Sequence, residues 1–458
     1  VRISFLGGTR TVSGSMHLFE TAHTRVLLDC GLFQGHREEA ERINRTVPDV
    51  AVSADFMILS HAHVDHCGNI PNLVKQGFRH EIYTTPASRD IAELLLRDSA
   101  HIQESDLRYL NKKLARAGLP PREPLYTVAD AEAALKYLAA FPHNQRFERN
   151  DLAFTLADAG HILGSAQVIL DSGGTRLVFT GDLGRSNLPI ICDPAPVADA
   201  DYLVMESTYG GRLHPPFAES ADRLADIINR VWNRAGRIIV PAFALGRTQE
   251  MLYAVNQLHV AGRIPKIRVF VDSPLAGGIT GVFRRHTAEF DAETKSLLAR
   301  HADPFEFPGL TFVSSTAESM KLNQDPRPCM IISASGMCEN GRVLHHLKHS
   351  VASPKNLVLI VGFAAEHTLA RRIAEREPEI RIFGETYPLR AEVETIDAFS
   401  AHADQNDLLA HVRRLDRKRL KRIFLVHGEL SQSEALQQKL VADGYDAVIP
   451  EKGQSFAL

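Results

Sequence analysis

Cysteine is scarce in this 458-residue chain: Cys30, Cys67, Cys192, Cys329 and Cys338, with no C-x-x-C pair among them. An odd, scattered set argues against a disulfide framework or a structural zinc knuckle, and it fits a reducing cytoplasm. Long apolar runs are also missing. No stretch of about 18 apolar residues occurs, so no membrane span is expected. The opening Val1-Arg2-Ile3-Ser4-Phe5-Leu6 reads as a strand and lacks the zones of a signal peptide. There is no excess of positive charge either, the formal net charge being -3. Bulk charge therefore gives no support to nucleic-acid binding, although bound cations or a local basic cleft can do that work. Repeats, low-complexity tracts and long linkers are absent. Composition is ordinary for a globular chain, with 44% hydrophobic and 23% charged residues. The length exceeds one ordinary core, so two domains, or one domain with a large insertion, are expected.

The opening third alternates short apolar strands, at 2–6, 16–20, 24–29 and 55–60, with glycine-rich turns. A helix is expected over 86–117, where Ile91, Leu94, Leu95, Ile102 and Leu107 recur near every third or fourth position. Gly118-Leu119-Pro120-Pro121 stops it. Strands follow at 152–157 and 176–180. Beyond residue 206, helices (221–235, 247–258) alternate with strands (237–241, 267–272, 330–333, 357–361), which predicts a parallel α/β layer. Strands at 380–383 and 392–398 precede a His-rich turn at 400–404.

Chemistry concentrates in His61-Ala62-His63-Val64-Asp65-His66, directly after a strand. Imidazole nitrogen and carboxylate oxygen are zinc-type donors. A spacing of two puts His61 and His63 on one side of an extended segment. The turn can then present Asp65 and His66 to a second ion. Four donors in six residues argue against a merely polar loop. Three weaker signals share one feature, a donor just past an apolar strand: His161 in Gly160-His161-Ile162-Leu163-Gly164, Asp182 in Thr180-Gly181-Asp182, and His427 in Val426-His427-Gly428. Open α/β sites gather at such strand ends.

With Asp29 in Leu27-Leu28-Asp29-Cys30-Gly31, these motifs resemble the metallo-β-lactamase superfamily, a signature that covers the first 185 or so residues and leaves the substrate open. Glu206-Ser207-Thr208-Tyr209-Gly210, the 241–250 stretch from Pro241 to Glu250, Asp272-Ser273-Pro274, Ser333-Ala334-Ser335-Gly336-Met337, Ser400-Ala401-His402-Ala403-Asp404 and His427 resemble the β-CASP nucleases. The resemblance is to their RNA-processing branch, which includes the 73-kDa subunit of the cleavage and polyadenylation specificity factor, and it extends over nearly the whole chain. The stretch 362–372 departs from that pattern at Ala364 and Ala370.

The resemblance implies an αβ/βα sandwich from residues 1–206 and 376–458, with an α/β β-CASP domain, 207–375, inserted between them. It implies two Zn2+, with Mn2+ also open. His61, His63 and His161 would hold one ion, Asp65, His66 and His427 the other, and Asp182 would bridge them. Asp29 would orient a ligand imidazole. Two ions about 3.5–4 Å apart clamp a phosphodiester and supply hydroxide near neutral pH. Asp65, His402, Glu206 and Asp29 form the implied catalytic set, with His402, paired to Glu206, as general acid. The products would carry 5′-phosphate and 3′-hydroxyl ends. In this family a His at the position of His427 marks RNA-acting members, so the expected partner is single-stranded RNA, with no membrane. Arg247, Ser335, Gly336 and Met337 are candidate substrate contacts. The basic run 411–422 reads as a solvated face or a phosphate track. A homodimer, an exonuclease or endonuclease mode, a small-substrate hydrolase and a non-catalytic RNA-binding subunit stay open.

Overall fold

The computed structural model describes every residue except His36, Pro216, His301, Phe363, Glu366, Asp397, Ala398 and Phe399. The chain forms two compact units. The first comprises residues 1–187, 192–213 and 402–458; the second comprises 188–191 and 214–401.

The first unit is built on two seven-stranded sheets. One runs Ser455–Ala457, Arg2–Gly7, Met16–Glu20, Arg25–Leu28, Phe56–Ile58, Ile82–Thr84, Leu138–Ala140. The other runs Ala447–Val448, Arg422–Val426, Tyr202–Glu206, Thr175–Phe179, Ala166–Ser172, Leu152–Asp158, Arg146–Arg149. Side-chain alternation explains why they stack. Leu177, Phe179 and Val204 join Phe5, Phe19, Val26 and Phe56 of the facing sheet in one core. Their neighbours Val178, Leu203 and Met205 point the other way, onto Leu408, Leu409 and Val412 of the helix Gln405–Arg414 and Leu436 and Leu440 of Leu430–Ala442. Each fully buried Phe contributes roughly 1.5–3 kcal/mol. The expected αβ/βα sandwich is what forms.

In the second unit six strands form one all-parallel sheet, ordered Leu310–Phe312, Arg268–Val271, Cys329–Ser333, Arg237–Pro241, Leu357–Val361, Glu392–Ile396. Its strands Cys329–Ser333 and Leu357–Val361 are buried throughout, as parallel strands covered on both faces must be. The expected boundary at residue 376 falls differently. Glu392–Ile396 pairs with Leu357–Val361, so this strand belongs to the second unit and the chain returns to the first unit at His402. The last two residues of the expected strand 392–398, Asp397 and Ala398, lie outside the described residues. Among the described residues no helix is long and apolar enough to cross a membrane.

The helix Gln405–Arg414 buries His411, whose Nε2 has no hydrogen-bond partner among the described residues. Burial, then the charge of Arg414, pushes its pKa down to about 4 from 6.5. The folded chain therefore refuses a proton that the unfolded chain accepts below about pH 6.5. Its contribution to stability is complete above pH 6.5 and is lost as pH falls toward 4. Between pH 7 and pH 5 this costs about 2 kcal/mol. Urea unfolding of His411→Leu at both pH values is expected to show a pH slope smaller by that amount; an unchanged slope would refute the assignment.

Candidate metal centre

His61, His161, Asp182 and His427 stand just past the C-terminal ends of strands of the first unit, while His63 caps and Asp65 and His66 lie on the short helix Val64–Cys67. His61 follows Phe56–Ile58, His161 follows Leu152–Asp158, Asp182 follows Thr175–Phe179, Glu206 ends Tyr202–Glu206, and His427 follows Arg422–Val426. The last three strands are parallel neighbours, so their ends arrive at one edge of the sheet. Two glycines permit the close approach. A Cβ on Gly31 would lie 1.5 Å from the Asp65 carbonyl oxygen. Gly181, at φ +54°, precedes Asp182, and its Cβ would meet the Ser60 side chain at 2.7 Å.

Ligand-type atoms of His61, His63, His161 and Asp182 lie within 4.8 Å of one another, as do those of Asp65, His66 and His427. In the first group His63 Nδ1 is 3.1 Å from His61 Nε2 and 3.2 Å from His161 Nε2. Asp182 Oδ2 stands 3.4 Å from His61 Nε2. In the second, His427 Nε2 is 3.2 Å from His66 Nε2 and 3.3 Å from Asp65 Oδ2. Asp182 Oδ1 faces this group, 3.2 Å from His66 Nε2.

Hydrogen bonds behind the rings settle which nitrogens are bare. Asp29, itself in the left-handed region at φ 60°, accepts from the Ser60 hydroxyl at 2.9 Å and the Ser60 N–H at 2.8 Å. The Ser60 oxygen can then accept from His61 Nδ1, 3.1 Å away, which leaves His61 Nε2 as a lone pair. Asp29 Oδ2 also lies 2.6 Å from His66 Nδ1, so His66 Nε2 is turned toward the second group. Carboxylate–imidazole partners of this kind orient metal ligands. His427, at φ 47°, is held by the Ser207 N–H and Thr208 hydroxyl, both donating to its carbonyl.

Electrostatics agree with cation binding. Burial pushes the pKa of His61 well below 6.5 and that of His63 to about 4, so both rings are neutral, as ligands must be. His66 goes the other way. Burial lowers its pKa, but Asp182 and Asp29 outweigh burial and hold it high. A bound cation would take the place of that proton. Asp182 is 1% exposed, and among the described residues no backbone N–H or hydroxyl donates to it, its near neighbours being the imidazoles of His61, His66, His161 and His427. A buried carboxylate without donors costs several kcal/mol. Bare imidazole nitrogens around an orphaned carboxylate fit a bound divalent cation, which satisfies all of them at once.

Beside this cluster the bridge Gly184↔His402 and the Ala403 N–H donating to the Leu183 carbonyl bring His402 in. His402 Nδ1 lies 3.2 Å from both oxygens of the buried Glu206, which also accepts from the Leu183 N–H at 2.7 Å. Burial would lower the His402 pKa, but Glu206, Asp182 and Asp65 outweigh it and raise it to about 9.

The expected substrate contacts Arg247, Ser335, Gly336 and Met337 belong to the second unit. Arg247 begins the helix Arg247–Val260 and pairs with Glu250 at 2.6 Å, while its buried Nε has no hydrogen-bond partner among the described residues. Gly336 adjoins the turn before that helix: a Cβ there would meet the Phe243 ring at 3.1 Å. Met337 accepts from the Ala370 N–H through its carbonyl. Ser335 accepts the Glu339 N–H at 3.3 Å. The basic run 411–422 is largely neutralised. Arg413 pairs with Asp443, Arg419 with Asp199 and Asp201, Lys421 with Asp201 and Arg422 with Asp446, while Arg417 lies over the Tyr445 ring. Cys30 and Cys67 are fully buried small residues.

Ser60 and His17 carry no signal in the sequence, and Thr208 stands out only as part of the Glu206-Ser207-Thr208-Tyr209-Gly210 motif. His17 is fully buried, with rings of Phe5 and Phe179 at 5.3 and 5.4 Å, and neither nitrogen has a hydrogen-bond partner among the described residues. Burial, then the charges of His66 and His427, pushes its pKa down to about 3, so it is neutral.

Three family models match the sequence: Metallo-beta-lactamase superfamily over residues 9–242, Beta-Casp domain over 248–373, and Zn-dependent metallo-hydrolase RNA specificity domain over 386–450. The chain is 34% identical to Ribonuclease TTHA0252 of Thermus thermophilus, covering 99% of each protein. It is 30% identical to an RNase J-like protein of Methanocaldococcus jannaschii, covering 94% of each. Transcription termination factor FttA of the same organism is also 30% identical, over 94% of this chain and 67% of that protein. A crystal structure of a protein of unknown function from Enterococcus faecalis V583 matches with a TM-score of 0.55 at 13% identity, a likeness of fold alone. The chain belongs to the metallo-β-lactamase superfamily, in its β-CASP branch of zinc-dependent metallo-hydrolases.

Proposed function

We propose that this chain is a zinc-dependent ribonuclease that hydrolyses phosphodiester bonds of single-stranded RNA, in RNA processing or decay. The observation that carries the reading is the orphaned Asp182 carboxylate, with bare imidazole nitrogens on both sides and the His402–Glu206 pair beside it. Relatives of matching length named ribonuclease and RNase J-like support the substrate. Five scattered cysteines with no C-x-x-C pair suit a reducing compartment.

His61, His63 and His161 would hold one zinc and Asp65, His66 and His427 the other, with Asp182 shared; manganese suits these donors too. Such a pair, when bound, supplies Lewis acidity and a water acidic enough to attack near neutral pH. The chain's own residues do the rest. Asp29 and Ser60 fix the His61 and His66 rings. Glu206 turns His402 Nδ1 toward itself and keeps the ring protonated. As the water-derived oxygen bonds to phosphorus and the P–O3′ bond breaks, His402 gives its proton to the departing 3′ oxygen. The products are a 5′-phosphate and a 3′-hydroxyl. Arg247 and the Ser335-Gly336-Met337 turn are proposed to contact the RNA, supported by the unpartnered Arg247 Nε at a helix N-terminus.

The test is incubation of the zinc-loaded protein with 5′-labelled and 3′-labelled single-stranded RNA and matched DNA. RNA is expected to be cut to 5′-phosphate products with DNA largely spared, and the two labels separate internal cuts from stepwise digestion. Intact RNA beside hydrolysis of a thioester or lactam would overturn the reading.

A further inference from the structure

The helix Pro86–Arg116 is 31 residues long, and its two halves differ. Its buried residues, Ala87, Ser88, Ile91, Ala92, Leu95, Leu96 and Ala100, all lie in the first half. From 101 onward nothing is fully buried. Leu107, Leu110, Asn111 and Leu114 are half-buried on one side, where Asn111 holds the returning backbone at Arg122 through both its amide atoms, at 2.9 Å each. At 100° per residue, Arg108, Tyr109, Lys112, Lys113 and Arg116 fall on the opposite side, and all five are exposed.

That outward face has the chemistry of a polyanion site. None of Arg108, Lys112, Lys113 and Arg116 forms an ion pair with a described residue, whereas the more conspicuous run at 411–422 meets Asp199, Asp201, Asp443 and Asp446. The only carboxylate of residues 105–118 is Asp106. Tyr109 stands amid the cations, 65% exposed, with Lys113 Nζ 4.6 Å from its ring centre. Unpaired cations around an exposed aromatic ring match single-stranded nucleic acid, whose phosphates need charge and whose bases need a stacking surface. A protein partner would more readily use an apolar face, and the leucines of this segment are turned to its own return loop.

The start of the helix locates the face relative to the metal centre. Thr85 and Ser88 donate to the Gly164 carbonyl at 2.6 and 2.8 Å, in the turn that carries His161. From there to Arg108 the helix runs about 33 Å. We propose that Arg108, Tyr109, Lys112, Lys113 and Arg116 form an accessory site that holds single-stranded RNA at a distance from the bond being cut, so that long RNA binds better than short. This rests on the ribonuclease reading above.

The experiment compares the zinc-loaded protein with a variant carrying Arg108→Gln, Lys112→Gln, Lys113→Gln and Arg116→Gln, and with Tyr109→Ala. A tetranucleotide and an RNA of about 30 nucleotides are cut at several salt concentrations. For the long RNA, KM of the four-cation variant is expected to rise roughly tenfold or more, and the slope of log KM against log salt to shrink by up to about 3. The tetranucleotide KM and kcat are expected to stay within about twofold, and Tyr109→Ala to raise the long-RNA KM several-fold. Replacing the same cations so that charge is kept, with Lys112→Arg and Lys113→Arg, should preserve wild-type behaviour. An unmoved long-RNA KM overturns the accessory site, as does an equal rise for both lengths. A variant that changes only the oligomeric state in sedimentation overturns it in favour of a protein contact. Wild-type protein that cuts neither RNA overturns the ribonuclease reading and this inference with it.

Discussion

Replacing Asp182 with alanine is expected to lower RNA cleavage about 10^3-fold and to reduce the zinc bound per chain. Asp182 faces both donor groups, Oδ2 toward His61 and Oδ1 toward His66. A catalytic cation is worth several kcal/mol of transition-state stabilisation, and about 4 kcal/mol corresponds to a factor of 10^3. Asp29, also buried at the site, should behave differently. Asp29 bonds to Ser60 and to His66 Nδ1, behind the ligand nitrogens, so its loss would loosen orientation and remove no donor. Single-turnover cleavage with elemental analysis of the Asp182→Ala protein makes the measurement. Unchanged zinc and unchanged cleavage would show that the carboxylate holds no cation.

Replacing His402 with alanine should cost about 10^2 to 10^4 in rate, the usual range for a general acid, with zinc content unchanged. Glu206→Gln should cost less, because the ring stays in place and loses only the charge that keeps it protonated. The alternative role is as a further ligand, since Asp182, Glu206 and His402 also present donors within 4.8 Å of one another. A substrate with sulfur in place of the bridging 3′ oxygen separates the two. Its leaving group needs no proton, so a general-acid variant is largely rescued on it. A variant that had lost a ligand stays slow on both substrates and binds less zinc.

Legibility in the sequence followed contiguity. The motif from His61 to His66 could be read as a metal site because its donors are adjacent in the chain. His161, Asp182 and His427 each looked ordinary alone, and only the strand that precedes each of them hinted at a shared edge. The His402–Glu206 pair spans 196 positions and was reached by family resemblance. Ser60 could not be found, because its role depends on Asp29 taking a left-handed backbone 31 positions away. His17 sits on a strand whose neighbours are apolar, and a lone His there gives no signal until its burial beside the centre is seen. The alternation of strands and helices beyond residue 206 did predict the parallel sheet. It could not show where that sheet ends, because the last strand, Glu392–Ile396, is added after the hairpin formed by Glu379–Ile382 and Glu385–Pro388. The long helix shows the same limit: Ile102 and Leu107 continue its apolar period beyond Ala100, its last fully buried residue.

The most direct test of the account is to strip the protein with a chelator, return zinc stepwise, and follow cleavage of single-stranded RNA against zinc bound per chain. The account predicts no cleavage by the stripped protein, and recovery that completes as bound zinc approaches about two per chain. Full cleavage without metal, or intact RNA with two zinc ions bound, would contradict it.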